Sequence, residues 1–194
     1  ATLNRKDELE KLFLSLCRQT FRSFEVIIVD QNSDLIDDIV AVYEKHLDIV
    51  HIKIFERGLS KARNIGLQYA NGEILGFPDD DCEYSDELLM DIHKKFVTHN
   101  HEIVSCRIVN KLTNANIGIS WPDHVLSISR DNLFKTCMSA SFFIKNKNNS
   151  KIIFDEEFGI GSVYGSAEES DYVLWAPLSG QLAVHFLATK FFHA

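Results

Sequence analysis

Apolar residues recur at helical spacing over Asp7 to Gln19, where Leu9, Leu12, Phe13 and Leu16 share one face. Phe24 to Asp30 (FEVIIVD) is instead a short unbroken apolar run closed by an acid, the pattern of a buried strand. Asp37 to His46 reads as a helix, and His51 to Phe55 (HIKIF) alternates as a strand does. Ser60 to Ala70 predicts a second strong helix, with Ser60 as its N-cap and Gly72 as its stop. Glu73 to Phe77 is another short strand. Ser85 to His99 is a helix with Asp86 and Glu87 in its first turn and Leu88, Leu89, Ile92 and Phe96 on its apolar face. Ile103 to Val109 follows as a strand. This alternation predicts one α/β domain, with a mixed, mainly parallel sheet and helices on both faces.

Beyond Asn110 the rhythm loosens. Asn110 to Lys135 is polar and irregular around Trp121-Pro122, and a stretch of that kind inside a compact domain commonly serves function. Ser139 to Lys145 reads as a strand, residues 145 to 151 as a polar turn, Asp171 to Ala176 as a short helix and Leu182 to Phe186 as a strand. Trp121 could stack on a sugar ring, but an aromatic in such a loop more often covers the core edge. His185 lies in an apolar strand and reads as a packed core residue.

Composition narrows the function. The 194 residues carry a net charge of −8, which argues against a nucleic-acid partner because such a protein needs a basic face. Four scattered cysteines (Cys17, Cys82, Cys106, Cys137) form no C-x-x-C pair and read as reduced thiols of a cytoplasmic protein. No apolar run is long enough to cross a bilayer.

Against that background, Asp79-Asp80-Asp81 needs an explanation. Three adjacent carboxylates repel one another, so water or a cation must satisfy them. In an open α/β sheet, ligands bind beyond the carboxyl ends of the strands. The three aspartates follow one predicted strand, and Asp30 ends another. Hard divalent cations such as Mg²⁺ or Mn²⁺ take carboxylate and phosphate oxygens. The competing reading is a solvated acidic loop. An EF-hand is excluded, since Tyr84 and Met90 stand where its glycine and glutamate are needed. Just upstream, Arg57, Lys61 and Arg63 surround a predicted helix start, where phosphate is favoured.

The segment RGLSKARNIGLQYANGEILGFPDDDCEY resembles the core signature of the family 2 glycosyltransferases, enzymes of the GT-A (Rossmann-like) fold. ATLNRKDELEKLFLSLCRQTFRSFEVIIVDQNS is similar to that family's nucleotide-binding start, and FDEEFGIGSVYGSAEESDYVLW to its later "FDE.fG.G...gsgED.D" segment. The resemblance implies a nucleotide-diphosphate sugar donor and a divalent metal, Mn²⁺ or Mg²⁺. Asp79 and Asp81 match the D-x-D, with Asp80 facing the site. Arg63 matches a position near the phosphates or base. Ala1, Thr2 and Asp30 match the nucleotide cradle, and His193 falls where some relatives place a histidine near the metal. Glu169, within Ser166 to Asp171, stands where the family has its general base, usually Asp, flanked by Glu168 and Asp171. The competing view is that these acids only decorate a helix N-terminus.

The same resemblance implies an inverting transfer to a glycan or lipid-linked glycan, as in cell-surface polysaccharide synthesis. The expected location is cytoplasmic, with peripheral contact at the inner membrane face. A sugar-phosphate nucleotidyltransferase and a non-catalytic nucleotide-sugar binding module are the alternatives. Gln31 departs from the acid usual after the strand-end Asp; its amide can still read a base. The family also has an apolar strand before the segment matched by ATLNR. Residues 1–194 are therefore expected to be a GT-A domain lacking its first strand, with further chain at the C-terminus too.

Overall fold

The computed structural model describes residues 1–33, 36–99, 101–146, 152–175 and 183–193. In chain order the elements are α1 (Lys6–Cys17), β1 (Glu25–Asp30), α2 (Asp37–Tyr43), β2 (Asp48–Lys53), α3 (Leu59–Leu67), β3 (Ile74–Gly76), β4 (Cys82–Tyr84), α4 (Leu88–Thr98), β5 (Ile103–Asn110), β6 (Leu126–Ser127), α5 (Leu133–Thr136), β7 (Phe142–Lys145), α6 (Glu168–Trp175) and β8 (Ala183–His193). The polar turn expected at 145–151 and the ends at Ala176 and Leu182 fall largely outside the described residues.

The sheet is mixed, as the sequence suggests, but in two parts. β1 and β2 pair in parallel over six residue pairs, Glu25 with Asp48 through Asp30 with Lys53. The larger sheet runs β3-β7-β5-β8-β4, with β6 also on β8. Its one parallel ladder, β5 with β8, is the longest; β7 joins β3 and β5 antiparallel, and β4 and β6 join β8 antiparallel. The short antiparallel ladders make the sheet less parallel than its βα rhythm implies, because β7 and β4 enter from loops and not from crossover helices.

Helices do cover both faces, and β7 shows how. Side chains alternate along a strand, so Phe143 enters one core with Leu12, Phe13 and Leu88, while Phe142 and Ile144 enter another with Leu133 and Val173. Trp121 is buried in the first core and donates its indole N–H to the Ile117 carbonyl at 2.9 Å, so it packs as a core-edge aromatic.

Between β1 and β3 lies an apolar slot. Among the described residues β1 pairs with β2 and, at Asp30, with Thr2 alone, and β3 pairs with β7 alone. Val26 to Val29 line one side of the slot, Leu75 to Pro78 the other, and Leu9, Leu12, Phe13, Ala62, Gly66 and Leu67 of α1 and α3 complete it.

Candidate active site

The acidic turn follows β3 and leads directly into β4, a strand too short to show any sequence period. It is not balanced by water alone, nor does it wait for a cation. The Arg5 guanidinium donates to the Asp81 carboxylate and lies 3.5 Å from that of Asp80. Arg63 donates to Asp79 at 3.2 Å. Two guanidiniums thus offset part of the charge of the three carboxylates, Arg63 being shared with Glu168. Burial raises the pKa of Asp79 and of Asp80, with Arg63 opposing the rise at Asp79.

Arg63 is the centre of the arrangement. Its side chain is 5% exposed and donates to Glu168 at 2.7 Å, itself 5% exposed. The rings of Phe77 and Phe154 lie 5.9 and 5.6 Å from its guanidinium carbon, within cation–π range. Ser139 adds a hydroxyl donor to Glu168 at 3.1 Å. Arg63 thus forms a strut between the acidic turn and α6.

The rest of α3 reinforces that junction. Asn64 clamps the backbone of Phe154, donating to its carbonyl at 2.9 Å and accepting its N–H at 2.8 Å. Ser60 does not cap the helix: Gly58 is the N-cap residue, and the Ser60 hydroxyl donates to the Phe158 carbonyl at 2.7 Å. The Leu59 N–H donates to the Ile160 carbonyl and the Gly58 N–H to the Gln31 side chain, both at 3.0 Å. These contacts occupy the N–H groups of the N-cap residue and of the first helical residue. Lys61 pairs with Glu56 at 2.8 Å, and Arg57 is solvent-exposed.

The loop held this way delivers the acids of α6. Gly159 and Gly161 take positive φ of 96° and 87°, and Ala167 sits at 78° immediately before Glu168. The helix begins at Glu168, three residues earlier than its apolar pattern indicates. Glu169 is the titrating group here. Burial, then the neighbouring charge of Glu168, pushes its pKa up to about 7, against the pull of its backbone hydrogen bond and of Arg63. A carboxyl near 7 is poised to take a proton at neutral pH, so the helix N-terminus does not hold it low. Glu168 beside it is engaged by Arg63 and Ser139. Asp171 continues the first turn of α6.

The predicted cradle gathers around the end of β1. The Thr2 N–H donates to the Val29 carbonyl and the Gln31 N–H to the Thr2 carbonyl, both at 3.0 Å. Ala1 and Thr2 share the slot mouth with Arg63 and Asp80. Asp30 is fully buried and accepts from the Asn32 N–H at 2.9 Å and the Asn32 side chain at 2.6 Å, with His51 Nε2 at 3.2 Å. Asp30 therefore organises the cradle, and its carboxylate is already engaged. Sequence reasoning singled out neither Arg5, Asn32, His51 nor Ser139; each acts through a partner distant in sequence or across a strand pair.

A hard cation fits this turn. Ligand atoms of Asp79, Asp81 and Cys82 lie within 4.8 Å of one another. Burial raises the pKa of the Cys82 thiol and disfavours a thiolate there; the two carboxylates are a donor set typical of Mg²⁺ or Mn²⁺ completed by substrate phosphates. β8 brings the backbone of His193 opposite Cys82. The side chains of His193 and His185 lie outside the described residues. No described helix is long and apolar enough to cross a membrane.

Known proteins match both the sequence and the shape. The glycosyl transferase family 2 model matches residues 1–144. The GalNAc(5)-diNAcBac-PP-undecaprenol beta-1,3-glucosyltransferase of Campylobacter jejuni is 38% identical over 88 residues, 42% of this chain and 28% of that protein. TarS of Staphylococcus aureus, a poly(ribitol-phosphate) beta-N-acetylglucosaminyltransferase, is 31% identical over 110 residues, 53% of this chain and 19% of that protein. The chain spans less than a third of these relatives' length. The crystal structure of TarS 1–349 with UDP-GlcNAc superposes with a TM-score of 0.82 at 22% identity, over 100% of this chain and 56% of that one. The mannosyltransferase PcManGT of Pyrobaculum calidifontis, in complex with GDP-Man and Mn²⁺, gives 0.72 at 18% identity, over 100% and 55%. These structures share the GT-A fold, and by the match over residues 1–144 the chain belongs to glycosyl transferase family 2.

Proposed function

We propose that this chain carries the donor site and the general base of an inverting glycosyltransferase that moves a sugar from a nucleoside-diphosphate donor to a glycan hydroxyl. The observation that carries the reading is Glu169, poised near pH 7 on a helix that Glu168 and Arg63 tie to the Asp79–Asp81 turn. Glu169 takes the proton of the acceptor hydroxyl as that oxygen attacks the anomeric carbon. The bond from that carbon to the phosphate oxygen breaks, and the nucleoside diphosphate leaves with the electron pair. Asp79 and Asp81 would hold the divalent cation, which neutralises charge on the departing diphosphate when bound. Asp30, Gln31 and Thr2 shape the nucleotide end.

UDP-GlcNAc, GDP-Man and Mn²⁺ in the structural neighbours support a nucleotide-sugar donor and a divalent ion. The undecaprenol-linked substrate in the Campylobacter relative's name supports a lipid-linked glycan acceptor. We also propose that the slot between β1 and β3 receives an extended strand from chain outside residues 1–194.

Thermal-shift measurement with UDP- and GDP-sugars, with and without Mn²⁺, tests donor binding by mass action. A shift that needs both nucleotide and Mn²⁺, with turnover lost in Glu169→Gln while the shift persists, is the expected result. No shift with any nucleotide diphosphate in Mn²⁺ would overturn the reading. A shift without turnover by the wild-type protein, tried with lipid-linked and free glycan acceptors, would make it a binding module.

A further inference from the structure

Arg63 and Arg5 both neutralise the acidic turn, but they are held differently. Arg63 is buried between two carboxylates and two rings, whereas the Arg5 side chain is 47% exposed. Arg5 is the N-cap residue of α1, and its backbone is anchored. Asn4 before it takes a φ of 59° and donates its N–H to the Asn32 side chain, which in turn donates to the buried Asp30 at 2.6 Å. The cradle therefore fixes the base of Arg5 while its guanidinium reaches Asp81 from the solvent side. The Asp81 side chain is only 14% exposed, so the pair is open to solvent on its arginine side alone; from that side the guanidinium can be exchanged for another cation without disturbing the fold around the carboxylate.

Asp81 is also one of the two carboxylates that suit a divalent cation. A guanidinium and a dication crowded onto the same carboxylate repel each other. We propose that Arg5 is an exchangeable counter-ion: it holds Asp81 when no cation is bound, yields it to the cation, and then turns to the donor's diphosphate. This inference rests on the metal-dependent donor site proposed above. A guanidinium suits both partners because its planar fork matches carboxylate and phosphate alike. The exchange couples the two ligands. Cation alone must displace Arg5 without compensation, whereas cation arriving with a diphosphate gives Arg5 a new partner, so each ligand tightens the other.

The test measures free Mn²⁺ by electron paramagnetic resonance, with and without saturating UDP or GDP, for wild-type protein, Arg5→Gln and Arg5→Lys. Arg5→Gln is expected to bind Mn²⁺ alone roughly three- to fivefold more tightly than wild type. It should also lose most of the tightening that nucleotide confers. Arg5→Lys, which keeps the charge without the fork, should lie between the two. Mn²⁺ binding that is unchanged or weaker in Arg5→Gln, with nucleotide coupling intact, would overturn the exchange and leave the metal site standing. No Mn²⁺ bound by any of the three proteins, with or without nucleotide, would overturn the metal site and the exchange together.

Discussion

Arg63 and Glu168 meet at 2.7 Å, both side chains about 5% exposed and 105 residues apart in sequence. Removing Arg63 strands Glu168 as an uncompensated buried charge, which typically costs about 3–5 kcal/mol, whereas removing Glu168 leaves Arg63 its contact with Asp79. Arg63→Ala is expected to lose that much in urea unfolding, and Glu168→Ala less. The double replacement Arg63→Met with Glu168→Leu should fall well short of the sum, apart from what Asp79 loses. A loss below about 1 kcal/mol in both single variants would show that the pair is solvated in solution.

Glu169 sets the pH dependence. With its pKa near 7, kcat/KM should rise with pH as the carboxyl ionises and level off above neutrality. The stability consequence has the opposite sign. The folded-state pKa is raised above the ordinary carboxyl value of 4.5, so the folded protein binds the extra proton between about 4.5 and 7 and stability falls as pH rises through that window. Glu169→Gln should therefore lose turnover by roughly a hundredfold or more. It should melt at or above the wild-type temperature at pH 8 and lose that advantage toward pH 4.5. A flat rate profile from pH 5.5 to 8.5 would remove Glu169 from the base role.

Asp79 and Asp81 share the turn but not their partners, so their asparagine variants should differ. Asp81→Asn removes the partner of the half-exposed Arg5 but also relieves the repulsion that Asp81 exerts on Asp79 and Asp80, so its melting temperature should stay near wild type while the Mn²⁺-dependent nucleotide shift disappears. Asp79→Asn also weakens the junction at Arg63, so it should lose both the shift and stability. Differential scanning fluorimetry with and without Mn²⁺ and UDP separates the two. Equal retention of the metal-dependent shift in both variants would place the cation elsewhere.

How far this site could be read from sequence depends on the range of the interaction. The helix of Leu9, Leu12, Phe13 and Leu16 and the strand EVIIVD are local patterns, and both formed as their spacing indicates. β4 is three residues long and is fixed by Phe191, Phe192 and His193 on β8, so no local period announces it. Ser60 looks like a cap because caps are local, but its hydroxyl answers a carbonyl 98 residues away. The aspartates and Glu169 could be picked out by motif; the arginines that hold the acidic turn could not be assigned partners, since Arg5 and Asp81 are 76 residues apart.

The loop before α6 contains one strained residue and one close approach. Ala167 sits at φ 78°, a conformation that costs an L-residue about 1 kcal/mol or more and that glycine adopts freely. The family pattern "gsgED", which this segment resembles, has glycine where this chain has Ala167. Ala167→Gly is expected to leave turnover intact and raise stability by a few tenths to about 1 kcal/mol. Gly159→Ala should do the reverse: at φ 96° its new Cβ would lie 3.0 Å from the Ser60 hydroxyl and 3.4 Å from Glu168. A loss of about 1–3 kcal/mol with reduced kcat is expected. A neutral Gly159→Ala would mean that the loop relaxes away from α3 without consequence for Glu168.

The slot between β1 and β3 makes the last prediction. Each strand has one edge whose backbone groups meet no described strand apart from the contact at Thr2, and the intervening walls are apolar. Unpaired ladder groups beside buried apolar surface are unfavourable, because water cannot satisfy the first without wetting the second. An extended apolar segment entering the slot would pair with β1 and β3 at once and place alternate side chains against α1 and α3. Its length would be that of an ordinary strand, about six residues. A chain carrying such a segment before Ala1 should therefore melt well above the 194-residue chain, by roughly 2–4 °C for each kcal/mol gained. Amide exchange at Val26 to Val29 should slow on the edge away from β2. Unchanged exchange at those amides, with an unchanged melting temperature, would show that the slot is closed by side-chain packing and that no strand belongs there.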